Sequence, residues 1–160
     1  MYKLRRFATR HSRAYEIVYN ASSPVILSTL RVINKMVGSR LDTPITWFEA
    51  KVKGALFDCK MCGNCVLSST GMTCPMNCPK TIRNGPCGGV RENGNCEVDP
   101  EMKCVWVDAW DGSQKMKHAQ EIELIQFAPN QQHQGTSAWI RLSREGVNKK
   151  LQNIKLEVKS

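Results

Sequence analysis

The sequence lacks any long hydrophobic run, and it contains few acidic residues. No apolar stretch approaches the roughly 20 residues that span a bilayer, so no transmembrane segment is predicted. The 160 residues include 14 Asp and Glu against 23 Lys and Arg, which gives a formal charge of +9. Residues 1–14 contain no acid, but neither a hydrophobic region nor a small-residue cleavage site follows them. We therefore expect no secretory signal and a reducing, cytoplasmic compartment, with an organellar transit peptide as the open alternative.

Cysteine is absent outside residues 59–104, and histidine is absent inside them. This block has few large apolar side chains, while Gly, Asn and Pro are abundant. Such a segment buries too little apolar surface to offset its chain entropy, so crosslinks or inorganic ligands must hold it. In a reducing compartment clustered thiols are metal ligands more often than disulfides. The sequence therefore predicts metal or cofactor ligands at all eight cysteines: Cys59, Cys62, Cys65, Cys74, Cys78, Cys87, Cys96 and Cys104.

The spacing of the first three cysteines indicates the kind of site. Cys59, Cys62 and Cys65 form C-x2-C-x2-C, and three thiolates at this spacing wrap one face of a [4Fe–4S] cluster. A proline often follows the fourth ligand of such a cluster, and Cys74-Pro75 and Cys78-Pro79 both meet that description. A zinc ribbon needs two C-x2-C pairs a dozen or more residues apart, which the block lacks. Spacing thus predicts one or two [4Fe–4S] clusters, leaves zinc open for the second set of four thiols, and does not assign the pairing.

Periodicity and turn residues predict helices before the cysteine block. Residues 1–20 are basic and predict an arm that lies on a partner. Ser22-Ser23-Pro24 predicts the start of a helix that ends at Gly38. Thr43-Pro44 predicts the start of a second helix that leads to Cys59. Because acid is scarce here, we expect both helices to present a basic face to water.

Within and after the block, Asn93-Gly94 predicts the tip of a hairpin. Residues 113–127 predict a third helix, 135–140 a short segment that packs back on the domain, and 144–160 a basic tail. The predicted fold class is α plus irregular structure: a small metal-stabilised cysteine-rich loop domain flanked by short helices, with few short strands. The predicted division is a basic N-terminal arm and helix (1–40), a cysteine-rich metal-binding domain with flanking helices (41–142) and a basic C-terminal tail (143–160).

Several strings of the block carry a family resemblance. They are Cys62-Gly-Asn-Cys65-Val-Leu-Ser-Ser-Thr-Gly71, Cys74-Pro-Met-Asn-Cys78-Pro-Lys, Arg83-Asn-Gly-Pro-Cys-Gly-Gly89, Gly94-Asn-Cys96-Glu-Val and Cys104-Val-Trp106. Together with Gly135-Thr-Ser-Ala-Trp139 they resemble the methylenetetrahydrofolate reductase C-terminal domain family over about residues 45–142. Members of that family are fused behind a flavin-containing reductase barrel or form a separate small subunit beside it.

The resemblance implies an accessory subunit that is not catalytic alone. The catalytic partner would bind FMN and reduce 5,10-methylenetetrahydrofolate to 5-methyltetrahydrofolate, while the cysteine-rich subunit carries electrons toward the flavin from a further donor subunit. This sequence has no barrel pattern and no dinucleotide fingerprint, so the catalytic subunit would be another polypeptide. In that hypothesis Trp106 and Trp110 shield the site and dock on the barrel. Positive charge for the cluster would come from Lys60, Lys80, Arg83 and Arg91.

Two other classes of function remain open. With zinc at both sites, the chain would be a structural subunit of the same reductase. A zinc-stabilised nucleic-acid-binding module would fit the +9 charge and the basic ends, but the cysteine loops are not basic stripes with interleaved aromatics. A free-standing enzyme is the least supported, because no acid–base or nucleophile constellation accompanies the thiols.

Overall fold

The computed structural model describes residues 2–145, and over this range the protein is mainly helical with long irregular loops. The described residues form five α-helices: α1 (Tyr2–Arg10), α2 (Ser12–Val37), α3 (Asp42–Phe57), α4 (Val105–Ser113) and α5 (Ala138–Glu145). Short 3₁₀ helices cover Gly38–Leu41, Pro75–Asn77, Ala119–Glu123 and Gln131–His133. The β-structure of the described range is limited to two isolated bridges. The predicted combination of helices and irregular cysteine-rich loops is confirmed, and its stabilisation by metal stays a prediction.

The N-terminal residues differ from the predicted arm, because residues 2–20 lie in α1 and the first half of α2. These helices bury Ala8, Ser12 and Glu16 against the rest of the protein. The Ser12 hydroxyl donates a hydrogen bond to the Gly112 carbonyl oxygen at 2.7 Å. Burial of one face therefore makes this segment part of the fold. The burial also carries α2 through Pro24, twelve residues beyond the start of the helix, although the sequence predicts that Pro24 marks a helix start.

The second predicted helix is confirmed as α3, and Gly38 ends α2 as predicted, with φ of 66°. α3 ends at Asp58, which adopts a left-handed conformation with φ of 52° and turns the chain into the cysteine block. The segment 135–140 does pack back: α5 lies against α2, and the Asn34 side-chain amide donates to the Ser143 hydroxyl at 3.0 Å. α3 and α5 thus enclose the start of the cysteine block from two sides.

The third predicted helix, over 113–127, is wrong. The helix in this region is α4, which begins directly after Cys104 and ends at Ser113. The chain that follows makes turns and one short 3₁₀ helix instead, because its backbone is bonded elsewhere: the Lys117 N–H donates to the Glu16 carboxylate at 2.9 Å. Hydrophobic periodicity could not predict this hydrogen bond, because Glu16 lies far away in the sequence.

The core contains the thiols themselves. One buried cluster comprises Ala8, Phe57, Leu67, Met72, Cys74 and Met116, and a smaller one comprises Cys104, Trp106 and Ala109 with Ile82 and Cys87 beside it. The backbone at Gly71 lies directly against α4, since a Cβ at Gly71 would be within 3.0 Å of the Ala109 carbonyl oxygen. The cysteine block is therefore fixed against α4 by backbone contact that only glycine allows.

None of the helices in residues 2–145 is long and apolar enough to cross a membrane. The Asn93-Gly94 turn is confirmed: the Arg91 N–H donates to the Asn95 carbonyl oxygen at 2.9 Å, and Val90 bridges to Cys96. Most of the predicted C-terminal tail lies outside the described residues, and the proposed division into 1–40, 41–142 and 143–160 stays a prediction.

Candidate metal centre

Four of the eight cysteines, the first thiol set, line one cavity: Cys59, Cys62, Cys65 and Cys74. The first three come from the loop after α3, where Met61 and Gly63 both have positive φ, 46° and 70°. These left-handed residues reverse the backbone between successive thiols. The cavity is small, about 20 Å³, which is room for about one water molecule. A bound group larger than a single ion therefore requires the thiol side chains to rotate outward.

Hydrogen bonds to sulfur give two thiols of the first set different pKa values. The Cys74 thiol donates to the Cys59 sulfur, and this bond lowers the pKa of Cys59 to about 6, with help from the Met61 N–H at 3.4 Å and against the effect of burial. The same bond raises the pKa of Cys74, because ionisation would remove the donor, and burial adds to the rise. The Arg83 guanidinium lies 3.9 Å from the Cys62 sulfur. The lowered pKa of Cys59 favours its thiolate, which is the form that binds metal.

Helix α5 and the segment before it fasten the loop of the first thiol set. The Gly135 N–H donates to the Met61 carbonyl oxygen at 2.7 Å, and the Arg141 side chain donates to the Gly63 carbonyl oxygen at 3.1 Å. A Cβ at Gly63 would lie within 3.0 Å of the His133 backbone. Chain elements 70 residues apart therefore hold the C-x2-C-x2-C loop in place.

A buried charge network borders the same cavity. Glu49 and Lys53, four residues apart on α3, form an ion pair, and both line the cavity with the thiols. Glu49 also accepts hydrogen bonds from the Ser137 hydroxyl and, at 3.4 Å, from the Trp139 N–H. Burial lowers the pKa of Lys53, but the neighbouring charges of Cys65 and Glu49 outweigh it, so its pKa is raised and it stays protonated.

Glu49 and Lys53 do not stand out in the sequence, because charged residues of a helix are expected to face water. Their exposed fractions are 1% and 6%. The available signal was the Glu–Lys spacing of four residues, which pairs side chains along one helix face. That spacing is common on exposed helices, so it does not reveal burial by itself.

The other four cysteines, the second thiol set, are Cys78, Cys87, Cys96 and Cys104. Cys78 follows the 3₁₀ helix Pro75–Asn77, which contacts α4, and Cys104 directly precedes α4. Cys96 and Cys104 are joined through the hairpin, since their N–H groups bond to Met102 and Gly94 carbonyl oxygens at 2.9 and 3.0 Å. Cys104 and Cys87 lie at the buried cluster around Trp106 of α4, and Cys87 also lines a cleft with that tryptophan.

Cys87 is the most accessible member of the second set. Its sulfur accepts from the Gly89 N–H at 3.4 Å and lies 4.0 Å from the Lys80 ammonium. Beside it, the Trp106 ring is buried, and its Nε1 atom has no hydrogen-bond partner within residues 2–145. An indole N–H left unpaired next to thiols can serve as a donor to sulfur of a bound group.

Other residues singled out in the sequence make their contacts elsewhere or are exposed. Lys60 pairs with Asp58 at 3.0 Å, and Arg91 donates to the Glu97 carbonyl oxygen at 3.4 Å. Trp110 is 51% exposed, whereas Trp106 is buried as core. Of the four predicted charge-balancing residues, Arg83 and Lys80 therefore lie against thiols, one at each set.

The residues of the first thiol set are of a type that can bind a metal or a cluster through thiolates. Their side chains are not positioned around a common metal ion. Across residues 2–145, no three His, Cys, Asp or Glu side chains lie close enough together to hold a metal ion. All eight cysteines are free thiols. Four thiols on one cavity, with N–H donors and cations directed at sulfur, make a donor set that both iron–sulfur clusters and zinc accept.

Comparison with known proteins gives one match. The family model described as methylene-tetrahydrofolate reductase C terminal matches residues 39–133, which include all eight cysteines, α3 and α4. No curated protein and no solved structure matches the chain. The matched range ends before α5, so the family covers the thiol loops but not the helix that encloses them.

Proposed function

The chain belongs to the methylene-tetrahydrofolate reductase C-terminal family, and on that premise we propose that it is an iron–sulfur accessory subunit. It would bind an FMN-containing catalytic subunit of methylenetetrahydrofolate reductase and relay electrons from a donor to that flavin. The observation that carries the proposal is the gathering of Cys59, Cys62, Cys65 and Cys74 on one cavity.

The first thiol set would hold a [4Fe–4S] cluster through Cys59, Cys62, Cys65 and Cys74. Such a cluster supplies one-electron transfer, which no side chain of this protein offers at a comparable potential. The chain's own contribution would be to direct donors and positive charge toward the sulfurs: the Met61 N–H at Cys59, Arg83 at Cys62 and Lys53 at the cavity wall. Cys74 is followed by Pro75, and its position on this cavity supports Cys74 over Cys78 as the fourth ligand of this set.

The cysteine spacing supports iron–sulfur over zinc at the first set. Three of its thiols come from a seven-residue loop of the ferredoxin type, C-x2-C-x2-C. A zinc ribbon instead takes two C-x2-C pairs a dozen or more residues apart. For the second set the geometry favours neither metal, and a structural zinc there remains the alternative.

A surface beside the second thiol set suits docking of the catalytic subunit. A cleft of about 340 Å³ is lined by Cys87, Val90, Trp106, Val107 and Trp110 among others. Exposed Trp110 lies at this cleft with a thiol in its wall. Large aromatic side chains at the edge of an apolar cleft are typical anchors of protein interfaces. A flavoprotein docked here would lie next to a redox group held by Cys87.

The test is anaerobic co-expression with the FMN-containing catalytic subunit, followed by analysis of the purified complex for iron, sulfide, zinc and flavin. We expect iron and sulfide at four or eight per chain, in a complex whose flavin is reduced by a donor only when this chain is present. Zinc without iron would leave a structural subunit. Failure to co-purify with the flavoprotein would contradict the proposed partner.

A further inference from the structure

Within residues 2–145, Lys53 is the one lysine that lines the cavity of the first thiol set. Only 6% of the residue is exposed, and its ammonium lies over the Trp139 ring at 4.7 Å from the centroid. Glu49, its ion-pair partner, is held in turn by Ser137 and the Trp139 N–H. Both α3 and the start of α5 therefore fix the position of this positive charge.

Burying a lysine–glutamate pair costs desolvation energy, and it is weak evidence for a stabilising role. The pair nevertheless lines the cavity that four thiols share. Four thiolates around an oxidised [4Fe–4S] core carry a net charge of about −2, and reduction adds one more negative charge. In a site of low dielectric, a cation fixed at the cavity wall acts strongly on that added charge.

We propose that Lys53 sets the one-electron reduction potential of the cluster held by the first thiol set, and that Glu49 is the counter-charge that limits its effect. This inference rests on the proposed iron–sulfur function. It assigns the Glu49–Lys53 network an electrostatic role in electron transfer rather than a role in folding alone.

The sign of each effect follows from charge. Reduction transfers one electron from an external reductant to the cluster, with no bond formed or broken in the protein. A positive charge at the wall stabilises the reduced form, so Lys53→Met disfavours reduction. Glu49→Gln leaves Lys53 charged but uncompensated, so it favours reduction. The glutamine oxygen can still accept from Ser137, so this variant changes charge more than shape.

The experiment is a redox titration of the anaerobically prepared full chain, with dithionite as reductant and the cluster followed by electron paramagnetic resonance. Lys53→Met is expected to shift the reduction equilibrium at least tenfold toward the oxidised form, which corresponds to about 59 mV for one electron. Glu49→Gln is expected to shift it in the opposite direction. Lys53→Arg is expected to retain the wild-type value, and so is Lys51→Met, a matched control at an exposed lysine of the same helix.

Shifts of opposite sign at constant iron content support the inference, because a folding defect would lower cluster content in both variants. If Lys53→Met does not fold, the inference is tested by the other two variants: Glu49→Gln is expected to shift the potential and Lys53→Arg to retain it. Clusters with unchanged potentials in all variants overturn this inference and leave the proposed function standing. A wild-type chain that binds zinc and no iron overturns both.

Discussion

The two thiol sets differ in what holds them. The first lies between α3, the start of α5 and the main core, and a buried ion pair, an arginine and backbone N–H groups are directed toward it. The second is carried by turns, a hairpin and the smaller cluster around Trp106, and most residues of 79–101 are exposed or half-buried. The polypeptide thus organises the first set by its own packing. The second depends more on whatever its thiols bind, as in other small domains with little core.

The largest expected effects come from removing one thiol of each set. Cys62→Ser is expected to remove the iron of the first set and abolish donor-driven reduction of the partner flavin, while the surrounding helices stay folded. Cys96→Ser is expected to remove the metal of the second set and also to increase amide hydrogen exchange across residues 78–104, because that region has less core of its own.

Metal analysis and hydrogen exchange of both variants check this contrast. Equal increases in exchange at the two sets would show that they do not differ in the way the structure indicates. If donor-driven activity persists in Cys62→Ser with the cluster gone, the electron relay is wrong.

Substitution of two glycines can distinguish the cost of a lost backbone contact from the cost of backbone strain. Gly71 and Gly94 both have positive φ, 59° and 79°, but only Gly71 lies against another backbone. Gly94→Ala is expected to cost about 1 kcal/mol of unfolding free energy, since it adds left-handed strain alone. Gly71→Ala is expected to cost about 3 kcal/mol, because its Cβ would also displace α4. Urea denaturation measures both, and equal losses would mean that the contact with α4 is not rigid.

The smallest expected effect concerns acid stability beside the first set. Burial raises the pKa of Glu16, but hydrogen bonds from the Lys117 N–H and Arg13 outweigh it, so the pKa lies below its ordinary value of 4.5. A carboxyl with a lowered pKa stabilises the native state above that ordinary value, and the contribution is lost as pH falls through the native pKa. Glu16 fastens the turn that supplies Met116 to the core around Cys74.

Glu16→Gln is therefore expected to lower Tm at pH 7, with a difference from wild type that narrows below about pH 4.5. Arg13→Gln is expected to show part of the effect, because the Lys117 N–H still bonds to Glu16. Thermal unfolding across pH 3 to 8 measures the Tm of each variant and of the wild type. Protonation of the thiols affects both proteins equally, so its contribution cancels in the difference between their Tm values. A difference that is independent of pH would contradict the assignment to Glu16.

Local sequence signals predicted α3, the end of α2 and the Asn93-Gly94 turn, because each depends on neighbouring residues. The same signals gave the wrong structure where contacts with residues distant in the sequence determine the backbone conformation. Pro24 lies within α2 because Ser12 and Glu16 anchor the helix before it. Residues 113–127 are not a helix, since Lys117 bonds to Glu16, about a hundred residues earlier.

The sequence by itself determined the chemistry of this protein: eight thiols in one block, their spacing and the family strings are all written in the order of residues. Only the tertiary structure decided which thiols share a cavity and which charges face them. Cys74 joins Cys59, Cys62 and Cys65, and Glu49 and Lys53 are buried beside them, because α3, α5 and the loop before α5 enclose that loop. Spacing along a chain cannot specify such contacts, since they depend on burial between segments distant in sequence.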